Sequence, residues 1–123
     1  MRGRLFDTNL LLWYVLGDER LTADIREDIE RSESGKHINI VSAWEVAIKI
    51  SIGKLKLSGG VDRFWGIFTE NGFKDIQISI DALKLVETLP CHHKDPFDRL
   101  LIATALAHDL ELVSSDSDIA KYF

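Results

Sequence analysis

Short apolar runs of the kind that form strands alternate along this chain with longer runs spaced for helices, and that alternation limits the fold more than any other feature. Leu5-Phe6 opens a short strand, and Asn9 to Leu16 (Asn-Leu-Leu-Leu-Trp-Tyr-Val-Leu) reads as a largely buried helix. Thr22 is placed to cap a polar helix running to about Ser34. His37 to Val41 alternates as a strand should, and Ser42-Ala-Trp-Glu45 has the form of a capping box opening a helix, with Trp44, Ile48, Ile52 and Leu55 on one face. Val61 to Asn71 is expected to be helical and to end at Gly72, before a strand over Phe73 to Ser79. Ser79 then caps a helix bearing Ala82, Leu83 and Val86. Asp95-Pro96 supplies an N-cap and a first-turn proline for a helix through His108, Leu110 to Ser114 returns as a strand, and a short helix follows Asp116. Strands that alternate with helices imply a parallel sheet covered on both faces.

The chain has 123 residues, 46% of them hydrophobic, which suits one domain spanning residues 1–123 with a substantial core. The apolar stretch from Leu100 to Ala107 is too short for a membrane span, and the Met1-Arg-Gly-Arg start lacks the long apolar segment of a signal peptide. With the single cysteine Cys91, which cannot close an internal disulfide, this leads us to expect a cytoplasmic protein. A net charge of −5 rules out binding a polyanion through bulk charge, so such a substrate needs local cations. Acids crowd residues 18 to 33, whereas residues 46 to 58 carry only Lys49, Lys54 and Lys56.

In an open parallel sheet, ligands bind beyond the carboxyl ends of the strands. Four acids meet that test: Asp7 ends the first strand, Glu45 follows Val41 by four residues, Asp98 lies in the first turn of a helix, and Asp116 follows the Leu-Val-Ser-Ser strand end. Carboxylates pushed together repel and raise one another's pKa unless a cation compensates. Mg²⁺ or Mn²⁺ prefers carboxylate and water oxygens, and it can also grip a phosphate and acidify bound water, the chemistry that cleaves phosphodiesters. Taken singly, each acid has a structural alternative. Glu45 completes a capping box, Asp98 suits a helix dipole, and Asp116 suits an N-cap. Asp7 is the hardest to explain structurally, because an acid directly after a buried strand carries a desolvation cost without an obvious helper.

Leu5-Phe-Asp7-Thr-Asn9, Ser42-x-x-Glu45, Asp98-Arg-Leu-Leu-Ile-Ala103 and Leu112-Val-Ser-Ser-Asp116 together resemble the motifs of PIN-domain nucleases, across almost the whole chain. The small size and the segment from Lys94 to Ala105 resemble the prokaryotic VapC-type toxins, the ribonuclease halves of toxin–antitoxin pairs. The resemblance implies a three-layer α/β/α fold around a parallel sheet of four to five strands. It implies a metal site of Asp7, Glu45, Asp98 and Asp116 for Mg²⁺ or Mn²⁺, with Thr8 orienting a carboxylate or bound water. It also implies endonucleolytic cleavage of RNA, a homodimer, and a small antitoxin partner. Asp118 and Asp95 are extra acids beside the family positions; Asp118 is the stronger rival ligand, and Asp95 fits better as a helix cap. The alternative to a nuclease is a non-catalytic PIN-like scaffold that binds RNA or protein.

Cys91-His92-His93 lacks the spacing of a zinc site. His92, His93, Lys94, Arg99 and Lys49 are instead candidate contacts to RNA phosphate. Trp13 and Trp44 fall on apolar faces and are expected in the core rather than against bases.

Overall fold

A computed structural model describes residues 3–31, 35–92 and 95–123. The elements run β1 (Arg4–Phe6), α1 (Thr8–Leu16), α2 (Ala23–Glu30), β2 (Lys36–Asn39), α3 (Ile40–Ser51), α4 (Gly60–Thr69), β3 (Lys74–Ile76), α5 (Ile80–Thr88), α6 (Pro96–Ala107) and β4 (Glu111–Val113), followed by a 3₁₀ turn over Ile119–Tyr122. The four strands form one parallel sheet in the order β3-β2-β1-β4, with Leu5 opposite His37 on one side and Leu112 on the other. This is the expected α/β architecture.

Two adjacent residues of β1 show how the sheet divides the core. Phe6 packs with Leu10, Leu11, Ile29, Phe64 and Phe68, whereas Leu5 packs with Val41, Leu101, Ala105 and Leu110. Neighbouring strand residues point to opposite faces, so α1, α2 and α4 cover one face and α6 covers the other. Both clusters consist of fully buried aliphatic and aromatic side chains, each worth roughly 1.5–3 kcal/mol of transfer free energy.

Local capping sets most helix starts as the sequence implies. Thr22 Oγ1 accepts from the Ile25 amide, Ser79 Oγ from Ala82, and Asp95 Oδ1 from Phe97. Several boundaries differ; α4 ends at Thr69 rather than Asn71, and others matter more to the site. β2 stops at Asn39 and α3 starts at Ile40, because the Asn39 side-chain oxygen caps the Val41 amide at 2.8 Å while its Nδ2 donates to the Ile76 carbonyl at 2.8 Å. Ser42 is thus not a cap. The buried face of α3 holds Val41, Ser42, Ala43, Glu45 and Val46; of the residues expected on its apolar face, Trp44 and Ile52 are each 58% exposed, Ile48 is half-buried and Leu55 packs against the core. β3 ends at Ile76 and leaves Ile78 exposed; α2 ends at Glu30, with Arg31 already extended.

Asn39 is fully buried and joins β2, α3 and β3. Replacing it by Ala removes a cap and orphans a carbonyl, an expected loss of about 2 kcal/mol. The measurement is a lower urea midpoint at unchanged slope.

Candidate active site

The sheet order reverses direction around β1. The chain passes from β1 to β2 and β3 on one side, and β4 returns on the other, so the switch point lies at the carboxyl ends of β1 and β4. Asp7 directly follows β1, and Ser114 and Asp116 follow β4; the Asp7 amide extends the pairing by donating to the Val113 carbonyl at 3.1 Å.

Asp7 is 3% exposed. Its Oδ1 accepts the Leu10 amide at 2.9 Å and caps α1, and its Oδ2 accepts the Ser114 hydroxyl. Burial holds the carboxyl above the usual carboxylate range; the Ser114 and Leu10 donors pull it down, and Glu45 and Asp116 push it up. These last two effects place Glu45 and Asp116 within electrostatic reach of Asp7. The Ser114 hydroxyl also accepts the Asp116 amide at 3.0 Å, so one serine joins the two acids.

Glu45 is 8% exposed and sits on the buried side of α3. Its Oε2 pairs with Lys49 one turn on, at 3.4 Å, and its Oε1 is buried with no hydrogen-bond partner among the described residues. Such an orphaned buried oxygen is costly and signals a missing partner. Thr8, beside Asp7, shares a buried hydrogen bond with Ser42 at 2.9 Å that ties the start of α1 to α3.

Asp98 stands half-buried in the first turn of α6, three and four residues before the buried Leu101 and Ile102, on the helix side that faces the sheet. α6 meets α3 through an edge contact between Trp44 and Phe97, ring centroids 5.1 Å apart. Asp95 caps α6, as its place before Pro96 implies. Asp118 donates its amide to Asp116 Oδ1 at 2.9 Å, which shapes the Asp116 loop, and its carboxylate pairs with Lys121 at 3.0 Å.

The donor set fits a hard divalent cation: carboxylates around a strand end, one with its charge destabilised by burial and one with a bare buried oxygen. The acids are not drawn into a closed shell, since among the described residues no three His, Cys, Asp or Glu side chains gather at metal-binding distance. Asp7 turns instead to Ser114 and Leu10, and Glu45 to Lys49.

A family model described as PIN domain matches residues 4–122. The chain belongs to the PIN-domain family. PIN domains are generally nucleases. The crystal structure of VapBC2 from Rickettsia felis bound to a DNA fragment from their promoter is similar in fold, with a TM-score of 0.71 at 14% identity over 97% of this chain and 92% of that one. No curated protein matches the chain significantly.

The remaining expected contacts of this PIN domain are scattered. The Arg99 guanidinium donates to the carbonyls of Pro90, Val86 and Leu89 at 3.1–3.3 Å, bracing the end of α5 against α6, so its main post is structural rather than at phosphate. His92 is exposed and packs edge-on against Tyr122, with centroids 5.0 Å apart. His93 and Lys94 lie outside the described residues. Trp13 is half-buried against the core as expected, but Trp44 is not. Ser114 was missed by the sequence reading. The signal available was a hydroxyl at the end of the strand that the topology sets beside Asp7.

Proposed function

We propose that this PIN domain is a divalent-metal-dependent endoribonuclease that hydrolyses RNA phosphodiester bonds, and that it is the toxin of a type II toxin–antitoxin pair. The observation that carries the reading is the pairing of a buried, charge-strained Asp7 with a Glu45 oxygen that no group among the described residues satisfies, at the switch point of the sheet. Asp7, Glu45, Asp98 and Asp116 would hold Mg²⁺ or Mn²⁺, which when bound supplies charge for a phosphate oxygen and acidity to a coordinated water. Ser114 fixes the direction of the Asp7 carboxylate and the approach of the Asp116 loop, and the Thr8–Ser42 bond sets the spacing between α1 and α3, hence between Asp7 and Glu45. A carboxylate of this set is the group to accept the proton released on attack.

The toxin assignment is supported by the overall likeness to VapBC2, which is described with its promoter DNA. We assign the chain a small antitoxin partner, a homodimeric state and a cytoplasmic location. Exposed apolar side chains at Ile40, Trp44, Ile80 and Leu83 supply surface for protein contacts, and no helix among the described residues is long and apolar enough to cross a membrane.

The test is cleavage of an end-labelled RNA pool by purified protein with Mg²⁺, Mn²⁺ or chelator, beside Glu45→Gln and Asp98→Asn. Cutting that needs the metal and falls by about a hundredfold or more in both folded variants is expected. No cutting by the wild type would leave the scaffold reading standing instead, and metal-independent cutting would overturn the metal site while keeping a nuclease.

A further inference from the structure

One surface of the molecule gathers Arg20, Lys49 and Lys54 around a hollow of mixed polar and apolar lining, with Arg20 and Lys49 each paired to an acid. A cleft of about 270 Å³ lies between α1 and the turn after α3, lined by Asn9, Leu12, Trp13, Lys49, Lys54 and Arg20 among others. Asn9, Leu12 and Trp13 recur at the spacing of one helix face, so α1 makes one wall. The other wall arises where α3 ends. The amides of Lys54 and Leu55 both fold back onto the Lys49 carbonyl, and Gly53, with φ of 75°, provides the left-handed turn that brings Lys54 over the cleft.

Both walls run directly into the acidic centre. Asn9 lies two residues after Asp7 on the helix that Asp7 caps, and Lys49 is one turn from Glu45 and paired with it. Leu12, Trp13, Leu16 and Leu55 supply the apolar and aromatic part of the lining, and Asn9, Arg20, Lys49 and Lys54 the larger polar part. Arg20 is anchored by a two-point bond to Asp18 and lies over the Trp13 ring at 4.8 Å, which fixes the indole as a wall. Lys54 is exposed, and among the described residues its ammonium makes no hydrogen bond or ion pair. Asn9 is exposed beside it, with an amide able both to donate and to accept.

We infer that this cleft seats a nucleotide of single-stranded RNA adjoining the scissile phosphate, with Lys54 and Lys49 on the phosphate backbone, the apolar part of the lining under the base, and Asn9 at its edge. The inference rests on the ribonuclease reading and adds to it the path of the substrate. Basic grooves with aromatic walls are the usual means of holding unpaired nucleic acid, and a chain of net charge −5 has to concentrate its cations to do so. Lys49 also acquires a second role: paired with Glu45, it links the nucleotide seat to the metal-binding acids.

The experiment measures binding apart from cutting. Affinity of a fluorescein-labelled single-stranded RNA hexamer is measured in the Asp7→Asn background, with Lys54→Glu, Lys54→Arg and Asn9→Ala added singly. Steady-state cleavage and Mn²⁺ affinity are measured for the same three changes in the otherwise native chain. Lys54→Glu is expected to weaken RNA binding by about tenfold and to make the salt dependence shallower by about one ion. KM should rise with kcat within about twofold, and Mn²⁺ affinity should be unchanged. Lys54→Arg should restore binding, and Asn9→Ala should cost several-fold. If the wild type cuts RNA and all three variants bind and cut like it, the RNA runs elsewhere and this inference alone is overturned. Variants that keep their RNA affinity but lose a protein partner would make the cleft a protein-binding site and overturn it equally. A wild type that neither binds nor cuts RNA removes the ribonuclease reading, and the cleft with it.

Discussion

Asp7→Asn is expected to abolish RNA cleavage, by about a thousandfold or more, while making the protein more stable at neutral pH. The two effects have one cause. Asp7 is an ionisable group almost fully removed from water, with Glu45 and Asp116 close enough to oppose its charge. Asparagine keeps the shape and both hydrogen bonds: its oxygen still accepts the Leu10 amide and caps α1, and its amide can donate to Ser114 Oγ. What disappears is the buried charge, and with it the proposed metal ligand. A gain of about 1 kcal/mol is reasonable for relieving a strained functional residue, and it corresponds to a rise in Tm of about 3–5 °C for a domain of this size.

The pH dependence separates this from a general packing gain. Because the folded pKa of Asp7 is raised above its ordinary value of 3.8, the native state binds more protons than the unfolded state between the two values. The stability tied to Asp7 is therefore complete below that ordinary value and is lost as pH rises through the folded pKa. The advantage of Asp7→Asn should be near zero in acid, grow across that window, and then level off. Thermal melts of both proteins across the acid range give the difference, since carboxylates other than the Asp7 neighbours Glu45 and Asp116 cancel between them. Mn²⁺ should raise the Tm of the wild type and leave the variant unmoved. An advantage that did not change with pH would assign the gain to packing and remove the case for a charge-strained Asp7.

Much of this site could be read from the sequence because its logic is positional. Asp7 and Asp116 stand at strand ends, and strand ends of a parallel sheet are where ligands bind. The caps at Thr22, Ser79 and Asp95 were legible for a related reason: each is a bond between a side chain and a backbone group two or three residues away. The failures nearest the site involve distant partners. Ile40 and Val41 look like strand residues, and what ends the strand is Asn39, whose amide reaches Ile76, 37 residues on. Trp44 outranks Ser42 and Glu45 in hydrophobicity, yet α3 turns it outward because Ser42 must meet Thr8 and Glu45 must reach the acidic centre. Ser114 bonds to Asp7 across 107 residues, and Arg99 finds three carbonyls at the end of α5. Lys36 is 1% exposed, with its ammonium donating to the Ile29 carbonyl at 2.9 Å and lying 4.8 Å from the Phe73 ring centre, a burial that no local pattern announces.

Phe68→Ala should act in the opposite direction, lowering stability by about 3–5 kcal/mol, a large share of the roughly 5–15 kcal/mol that holds a domain together. Phe68 is 1% exposed and stands at the centre of an aromatic group, with ring centroids 5.4 Å from Phe64, 5.2 Å from Phe73 and 5.9 Å from Tyr14. Phe73 in turn meets Phe6, the last residue of β1, at 5.5 Å. Truncation removes the ring's dispersion contacts and leaves a void among rigid side chains that cannot collapse into it. The expected observations are a much lower urea midpoint and a weakened near-ultraviolet aromatic signal. Phe68→Leu, which refills most of the volume, should cost about 1–1.5 kcal/mol and remain folded. Since Phe6 carries this packing to the residue next to Asp7, the leucine variant also asks whether the core positions the site. Cleavage by the folded Phe68→Leu protein within a few-fold of wild type would mean that the hydrogen bonds of Asp7 to Leu10 and Ser114 are enough to hold the carboxylate, whereas a large loss without unfolding would assign that task to the aromatic core behind β1.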